Sequence, residues 1–259
     1  MPRAPIIEFS DVSKTYGEAH ALEHVSLVVG AGEFLAIVGP SGSGKTTLLR
    51  LVNRLAEPSS GEVRVENADV RLADPPLLRR RIGYVFQGIG LFPHLTVAEN
   101  IAITPRLIGW EKDKRAARAD ELLNLVRLDP AHYRDRLPAE LSGGERQRVG
   151  VARALAAEPK IVLMDEPFGA LDAVNRDAIG RDYRALHAGL GLTTVMITHD
   201  LTEAVLLADR IVVIHEGRLI EEGTPRELMI SPKNAYVREL IETPRRQAER
   251  LGALLKGGA

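Results

Sequence analysis

Two glycine-rich segments carry residue types suited to holding phosphate. The first is GPSGSGKTT, which supplies Gly39, Pro40, Ser41, Gly42, Ser43, Gly44, Lys45, Thr46 and Thr47. It fits G-x-x-x-x-G-K-[ST] and lies between an apolar, β-favouring run, FLAIV, and a segment of helical periodicity, as the chemistry requires. Small residues there let backbone N–H groups curl around phosphates, and the helix N-terminus adds positive potential. Lys45 reaches the β- and γ-phosphates, and the Thr46 hydroxyl is placed to coordinate Mg2+. The second segment is LSGGERQ, residues 141–147. Ser142, Gly143 and Gly144 precede a helical stretch and form either another anion-accepting N-terminus or a simple serine N-cap.

Further polar groups close apolar runs. KIVLMDEP puts Asp165 and Glu166 at the end of a buried strand, and ligands of open α/β sheets lie outside those carboxyl ends. Adjacent carboxylates can divide the labour: Asp165 holds Mg2+, usually through water, and Glu166 polarises the water that attacks the γ-phosphate. TTVMITHD brings His199 to the same expected edge, either as a turn residue or as a donor to the γ-phosphate. Gln87, after IGYVF, is either a solvated loop amide or a contact to Mg2+ or attacking water that reports nucleotide to a neighbouring surface. Tyr16 either packs on the core or offers its ring to adenine.

Positioning these groups calls for a layered α/β fold. IIEFSDVSKTY and HVSLVV alternate apolar and polar residues and predict an antiparallel start with one buried face. FLAIV is continuously apolar, and Leu48, Leu49, Val52 and Leu55 mark one stripe of a helix that stops before Pro58. EVRV, IGYVF, KIVLM, TTVMIT and RIVVI read as further strands, parallel where helices such as NRDAIGRDYRALHAG cross between them. Between about 96 and 157 the pattern is helical, with Ala119, Leu122, Leu123 and Val126 at helical spacing. The expected organisation is a mostly parallel α/β core (1–95 and 158–240) with an N-terminal antiparallel β subdomain, an inserted helical subdomain (about 96–157) and a basic amphipathic tail (241–259) lying on the core.

Composition narrows the function classes. With 34 basic and 35 acidic residues the net charge is -1, so nothing global points to nucleic acid or an anionic membrane surface. The absence of cysteine excludes disulfides and thiolate metal sites. MPRAPIIEF lacks the apolar core of a signal peptide, and the apolar runs are too short to span a bilayer. A cytoplasmic protein that meets a membrane only through a partner is expected.

LSGGERQ stands upstream of IVLMDE, and GPSGSGKTT, Gln87, the aspartate of GALD at 172 and His199 fall in a matching order and approximate spacing over nearly the whole chain. In this the sequence resembles the ATP-binding cassette (ABC) ATPases, whose core is a P-loop NTPase fold. The resemblance implies a head-to-tail pair of identical chains sandwiching two ATP molecules, each between one copy's phosphate loop and the other's signature. Ser142, Gly143, Gly144 and, in the same motif, Gln147 would then serve the partner copy's nucleotide, with Asp172 at the interface. It implies that the helical insert moves against the core while a cytoplasmic helix of an integral-membrane permease docks on residues 87–100, where Leu91, Phe92 and Leu95 form an apolar patch or a buried anchor.

PFGALD and FPHLTVAEN are similar to bacterial importers, which place the protein on the inner face of the membrane and add an extracytoplasmic solute-binding protein. The texture of QGIGLFPHLTVAENI is similar to ATPases for glycine betaine, choline and related osmoprotectants; phosphate, sulfonate, sugar and amino-acid import stand as alternatives. Many osmoprotectant ATPases continue into CBS domains, and with the sequence ending at Ala259 no gating through such a module is expected. Cassettes acting on DNA or ribosomes usually carry two phosphate loops or a long heptad coiled coil; this sequence has one loop and no sustained heptads, so no nucleic acid partner is expected.

Overall fold

Alternating side chains in the first thirty residues fold as two long antiparallel strands, β1 (Pro5–Tyr16) and β2 (Ala19–Gly30), which bury Ile7, Phe9 and Val12 against Leu22, Val25 and Leu27. The structure, a computed structural model, describes residues 3–88, 90–169 and 171–256. Residues 257–259 of the expected tail, and Ile89 and Ala170 within the docking and GALD segments, lie outside the described residues. After β2 come β3 (Phe34–Val38), α1 (Lys45–Val52), β4 (Ser60–Val65), β5 (Ala68–Asp69), α2 (Pro75–Arg81) and β6 (Ile82–Val85). A helical stretch follows: α3 (Val97–Ile101), α4 (Ile103–Leu107), α5 (Lys112–Leu125), α6 (Pro130–Tyr133) and α7 (Gly143–Leu155). The chain then returns to the sheet through β7 (Ile161–Asp165), α8 (Ala173–Leu190), β8 (Thr193–Thr198), α9 (Leu201–Leu207), β9 (Arg210–His215), β10 (Arg218–Gly223), α10 (Pro225–Ile230) and α11 (Ala235–Lys256).

The strands form two sheets. One is antiparallel, in the order β2-β1-β4-β5; the other runs β10-β9-β3-β8-β7-β6, parallel except where β10 pairs antiparallel with β9. β3 explains its own composition. Phe34, Ala36 and Val38 enter one hydrophobic cluster and Leu35 and Ile37 the other, so both faces are covered and no position on the strand favours a polar side chain. The first cluster also takes Val97, Ile101, Ala119, Leu122 and Leu123, which seats the helical stretch on that face, and Val237 and Ile241 of α11. Among the described residues no helix is long and apolar enough to cross a membrane.

Three details differ from the periodicity reading. α1 ends at Val52, well short of Pro58, and Leu55 is half-exposed while Leu48, Leu49 and Val52 are buried. The guanidinium of Arg79 donates to the carbonyls of Asn53 and Arg54, satisfying groups that a longer helix would have paired internally. Val126 falls just past the end of α5. β10 was not expected; its hairpin with β9 turns at Glu216 and Gly217, both at positive φ.

Candidate functional site

Parallel register brings the polar strand ends to one edge. Val38 of β3 pairs with Thr198 of β8, Ile197 of β8 with Asp165 of β7, and Met164 of β7 with Val85 of β6. The residues that follow, Gly39, His199, Glu166 and Gln87, therefore leave the sheet along the same border, the usual location of ligands in such folds.

The phosphate loop turns from β3 into α1 with its outer rim, Pro40 to Gly42, exposed and Gly39, Ser43 and Lys45 buried. Its tightness depends on missing side chains. A Cβ on Gly39 would sit 2.0 Å from the Ile214 carbonyl oxygen, and one on Gly44, whose φ is +98°, 2.2 Å from that of Ala21. Lys45 is 6% exposed, and its ammonium donates to the carbonyls of Gly39 (2.8 Å) and Pro40 (2.7 Å). Burial pulls its pKa below the ordinary lysine value, opposed by the charges of Glu166 and Asp165. Asp165 responds in the opposite sense: burial raises its pKa, against the Thr46 hydroxyl that donates to Oδ1 at 3.2 Å. The Ser43 hydroxyl is buried with no hydrogen-bond partner.

These observations test the fit of nucleotide and metal. A buried ammonium and an orphaned hydroxyl in a loop opening on solvent suit an incoming phosphate. A buried carboxylate already joined to the Thr46 hydroxyl suits a hard divalent cation with oxygen ligands, such as Mg2+. The residues fit both groups.

Glu166 gathers the remaining candidates. Its Oε2 accepts from Gln87 Nε2 at 3.0 Å and lies 3.5 Å from His199 Nδ1. Its backbone sits at φ +47°, in the left-handed region where a non-glycine residue costs about 1–2 kcal/mol. Its N–H is fixed by the Ile197 carbonyl at 3.0 Å, which holds the turn. Gln87 and His199 thus meet at the carboxylate that the sequence related to them only as residues at strand ends.

The second loop is a formed helix terminus. Ser142 caps α7: its Oγ accepts from Glu145 N–H at 3.3 Å, while the Glu145 carboxylate accepts from Ser142 N–H at 2.7 Å and from the Tyr133 hydroxyl at 2.6 Å. Glu145 and Tyr133 were not among the expected residues, although the S-x-x-E spacing is a legible capping-box signal. Ser142 is exposed, whereas Gln147 is 2% exposed with its Nε2 unpaired, so it does not share the exposed face of Ser142. Asp172 is exposed and caps α8 by accepting from Asn175 N–H at 3.0 Å. Tyr16 is 47% exposed with the Lys14 ammonium 4.7 Å from its ring centroid, so the core-packing alternative does not hold. In the docking segment Leu91 packs against the core as an anchor and Phe92 is exposed; Asn100, fully buried, holds that loop through the carbonyls of Phe92, Leu95 and Thr96.

A family profile described as ABC transporter matches residues 22–169. The chain is 48% identical over 237 residues to the glycine betaine/carnitine/choline transport ATP-binding protein OpuCA of Bacillus subtilis (strain 168), covering 91% of this chain and 62% of that protein. It is 46% identical over 236 residues to the glycine betaine uptake system ATP-binding protein YehX of Escherichia coli (strain K12), covering 91% and 76% respectively. In structure it is similar to a bacterial ABC transporter cassette solved as a dimer, with a TM-score of 0.79 and 37% identity over 85% of this chain and 99% of that one. The chain spans about six tenths of the length of the first curated relatives it matches.

Proposed function

Because the chain belongs to the ABC transporter family, we propose that it is the ATP-hydrolysing subunit of an importer whose membrane-spanning permease is a separate chain. The observation that carries this reading is the meeting of Gln87 and His199 at Glu166, beside a phosphate loop with a buried, carbonyl-bound lysine. On binding ATP, Lys45 exchanges two backbone carbonyls for phosphate oxygens and its desolvated charge gains a full counter-charge. Thr46 and Asp165, joined through the Thr46 hydroxyl, would hold Mg2+ with Gln87 as a further oxygen ligand, and the ion would supply positive charge to offset that of the phosphates. Glu166 orients and polarises the attacking water, Gln87 fixes its carboxylate, and His199 donates to the γ-phosphate. Tyr16 offers its exposed ring to adenine.

The exposed Ser142 cap serves the ATP of a second copy, its hydroxyl free to donate because its oxygen already accepts from Glu145. Gly143 and Gly144 supply the first backbone N–H groups of α7 to the same phosphate, and Asp172 faces the partner across the interface. The buried Gln147 acts from behind the loop rather than by contact. ATP then joins the dimer while intact, and hydrolysis removes that differential stabilisation. The permease docks beside Gln87 near the exposed Phe92, a solute-binding protein delivers cargo outside, and the protein works on the cytoplasmic face of the membrane. The names of the relatives support a quaternary-amine osmoprotectant such as glycine betaine or choline as the solute.

Glu166→Gln tests the chemistry. The amide keeps the shape and loses the charge, so ATP binding persists, turnover falls by at least ~100-fold and ATP with Mg2+ traps a dimer in sedimentation. Near-wild-type hydrolysis by this variant removes Glu166 from the role of base.

A further inference from the structure

Glu166 lies between two turns. One leads from it to Asp172, with Gly169 N–H donating to the Glu166 carbonyl at 3.3 Å; the other holds His199. On these turns the proposed mechanism uses Glu166, Asp172 and His199, and among the described residues these three meet across the turns at the 3.5 Å approach of His199 to Glu166. Arg176, in the first turns of α8, does. Its Nη2 donates to the Leu171 carbonyl at 3.0 Å and its Nη1 to Asp200 Oδ2 at 3.2 Å, while its own N–H donates to the Asp172 carbonyl at 2.9 Å. Asp200 follows His199 directly and is itself fixed, capping α9 by accepting from Thr202 N–H and Glu203 N–H and donating its own N–H to the Thr198 hydroxyl.

We propose that Arg176 is a positioning residue that locks the Asp172 turn to the His199 turn, so that closure of the first against a partner chain and placement of the second at the γ-phosphate occur together. This rests on the ATPase reading above. Three features support it. The two acceptors, a backbone carbonyl and a carboxylate, are met by two different guanidinium nitrogens, Nη2 and Nη1, a fixed fork that a lysine replaces with a single nitrogen. Both ion-pair side chains are 32% exposed, where such pairs add little to stability, so geometry is the better account of the contact. The link also has spare capacity: Arg176 Nε and Glu203 Oε1, on the packed helices α8 and α9, are a buried donor and a buried acceptor without hydrogen-bond partners.

The test compares Arg176→Lys, Arg176→Met and Asp200→Asn with the wild-type chain in ATP turnover, ATP affinity and thermal melting. Loss of placement lowers kcat by about 10- to 100-fold in Arg176→Met. The lysine variant, which keeps the charge toward Asp200 but not the span to Leu171, falls between. ATP affinity and melting temperature stay at wild-type values, and Asp200→Asn combined with Arg176→Met loses no more than the worse single variant, since both break one link. Wild-type kcat in the lysine and methionine variants overturns the inference, as does a fall in melting temperature and ATP affinity that accounts for the lost turnover. If Arg176→Met does not fold, the lysine variant decides by the same criteria. Absence of turnover in the wild-type chain overturns the ATPase reading itself, an outcome distinct from wild-type turnover with unaltered variants.

Discussion

Replacing Lys45 with alanine separates nucleotide binding from catalysis. The ammonium is buried, bound to the Gly39 and Pro40 carbonyls at 2.8 and 2.7 Å, and held near Asp165 and Glu166. A hydrogen bond to a charged group contributes about 1.5–3 kcal/mol, which converts to an ATP affinity weakened roughly 10- to 150-fold. The fold loses less. Two carbonyls lose their donor at about 1 kcal/mol each, and removal of a desolvated charge works in the other direction, so the melting temperature moves by a few degrees at most. Calorimetric titration with ATP and Mg2+, run beside a thermal melt, reads both quantities. ATP affinity equal to that of the wild-type chain would refute the proposed lysine–phosphate contact, and a collapse of the melt would show that Lys45 acts chiefly as a structural tie.

Glycine positions in the same loop should separate by what a methyl group meets. Gly39→Ala drives its Cβ to within 2.0 Å of the Ile214 carbonyl oxygen and should cost at least ~3 kcal/mol, whereas Gly42→Ala meets nothing within 4 Å and carries only the roughly 1–2 kcal/mol strain of its φ of +81°; urea midpoints check the order. Acid should destabilise the chain through His187, whose burial beside Phe34 and Thr194 brings its pKa from 6.5 to about 4. A depressed base binds fewer protons folded than unfolded, so its contribution is intact above about pH 6.5 and is lost as pH falls toward 4, on the order of 3 kcal/mol in all. His187→Gln should flatten that slope in urea melts across the window, and an unchanged slope would remove His187 as its source.

The legible parts of this molecule were those written in local pattern. FLAIV announced a strand covered on both faces, and the glycine loop after it fixed where phosphate chemistry would sit. Position after an apolar run put Asp165, Glu166, His199 and Gln87 at strand ends, which parallel register aligns on one edge without knowledge of side chains. Long-range pairing was not legible. The carbonyls just past the end of α1 are met by Arg79, some 25 residues on, and the contact of Gln87 with Glu166 joins residues 79 positions apart. Gln147 was placed by its motif, yet helical phase turns it inward. Arg176, in the helical stretch NRDAIGRDYRALHAG, was not among the expected residues; only the return of β8 beside β7 brings Asp200 within its reach.

The central claim is that the Ser142 loop completes a nucleotide site in another copy of the chain. Its most direct test is ATP-dependent association of Ser142→Arg subunits mixed with Lys45→Ala subunits. Ser142→Arg alone should bind ATP through its own phosphate loop but neither dimerise nor hydrolyse it, and Lys45→Ala alone should fail at binding. In the mixed dimer one composite site carries both defects and the other carries neither, so the mixture should associate with ATP where each variant alone does not. Ser142→Arg subunits that dimerise and hydrolyse ATP as the wild-type chain does would contradict the claim and leave Ser142 as a helix cap.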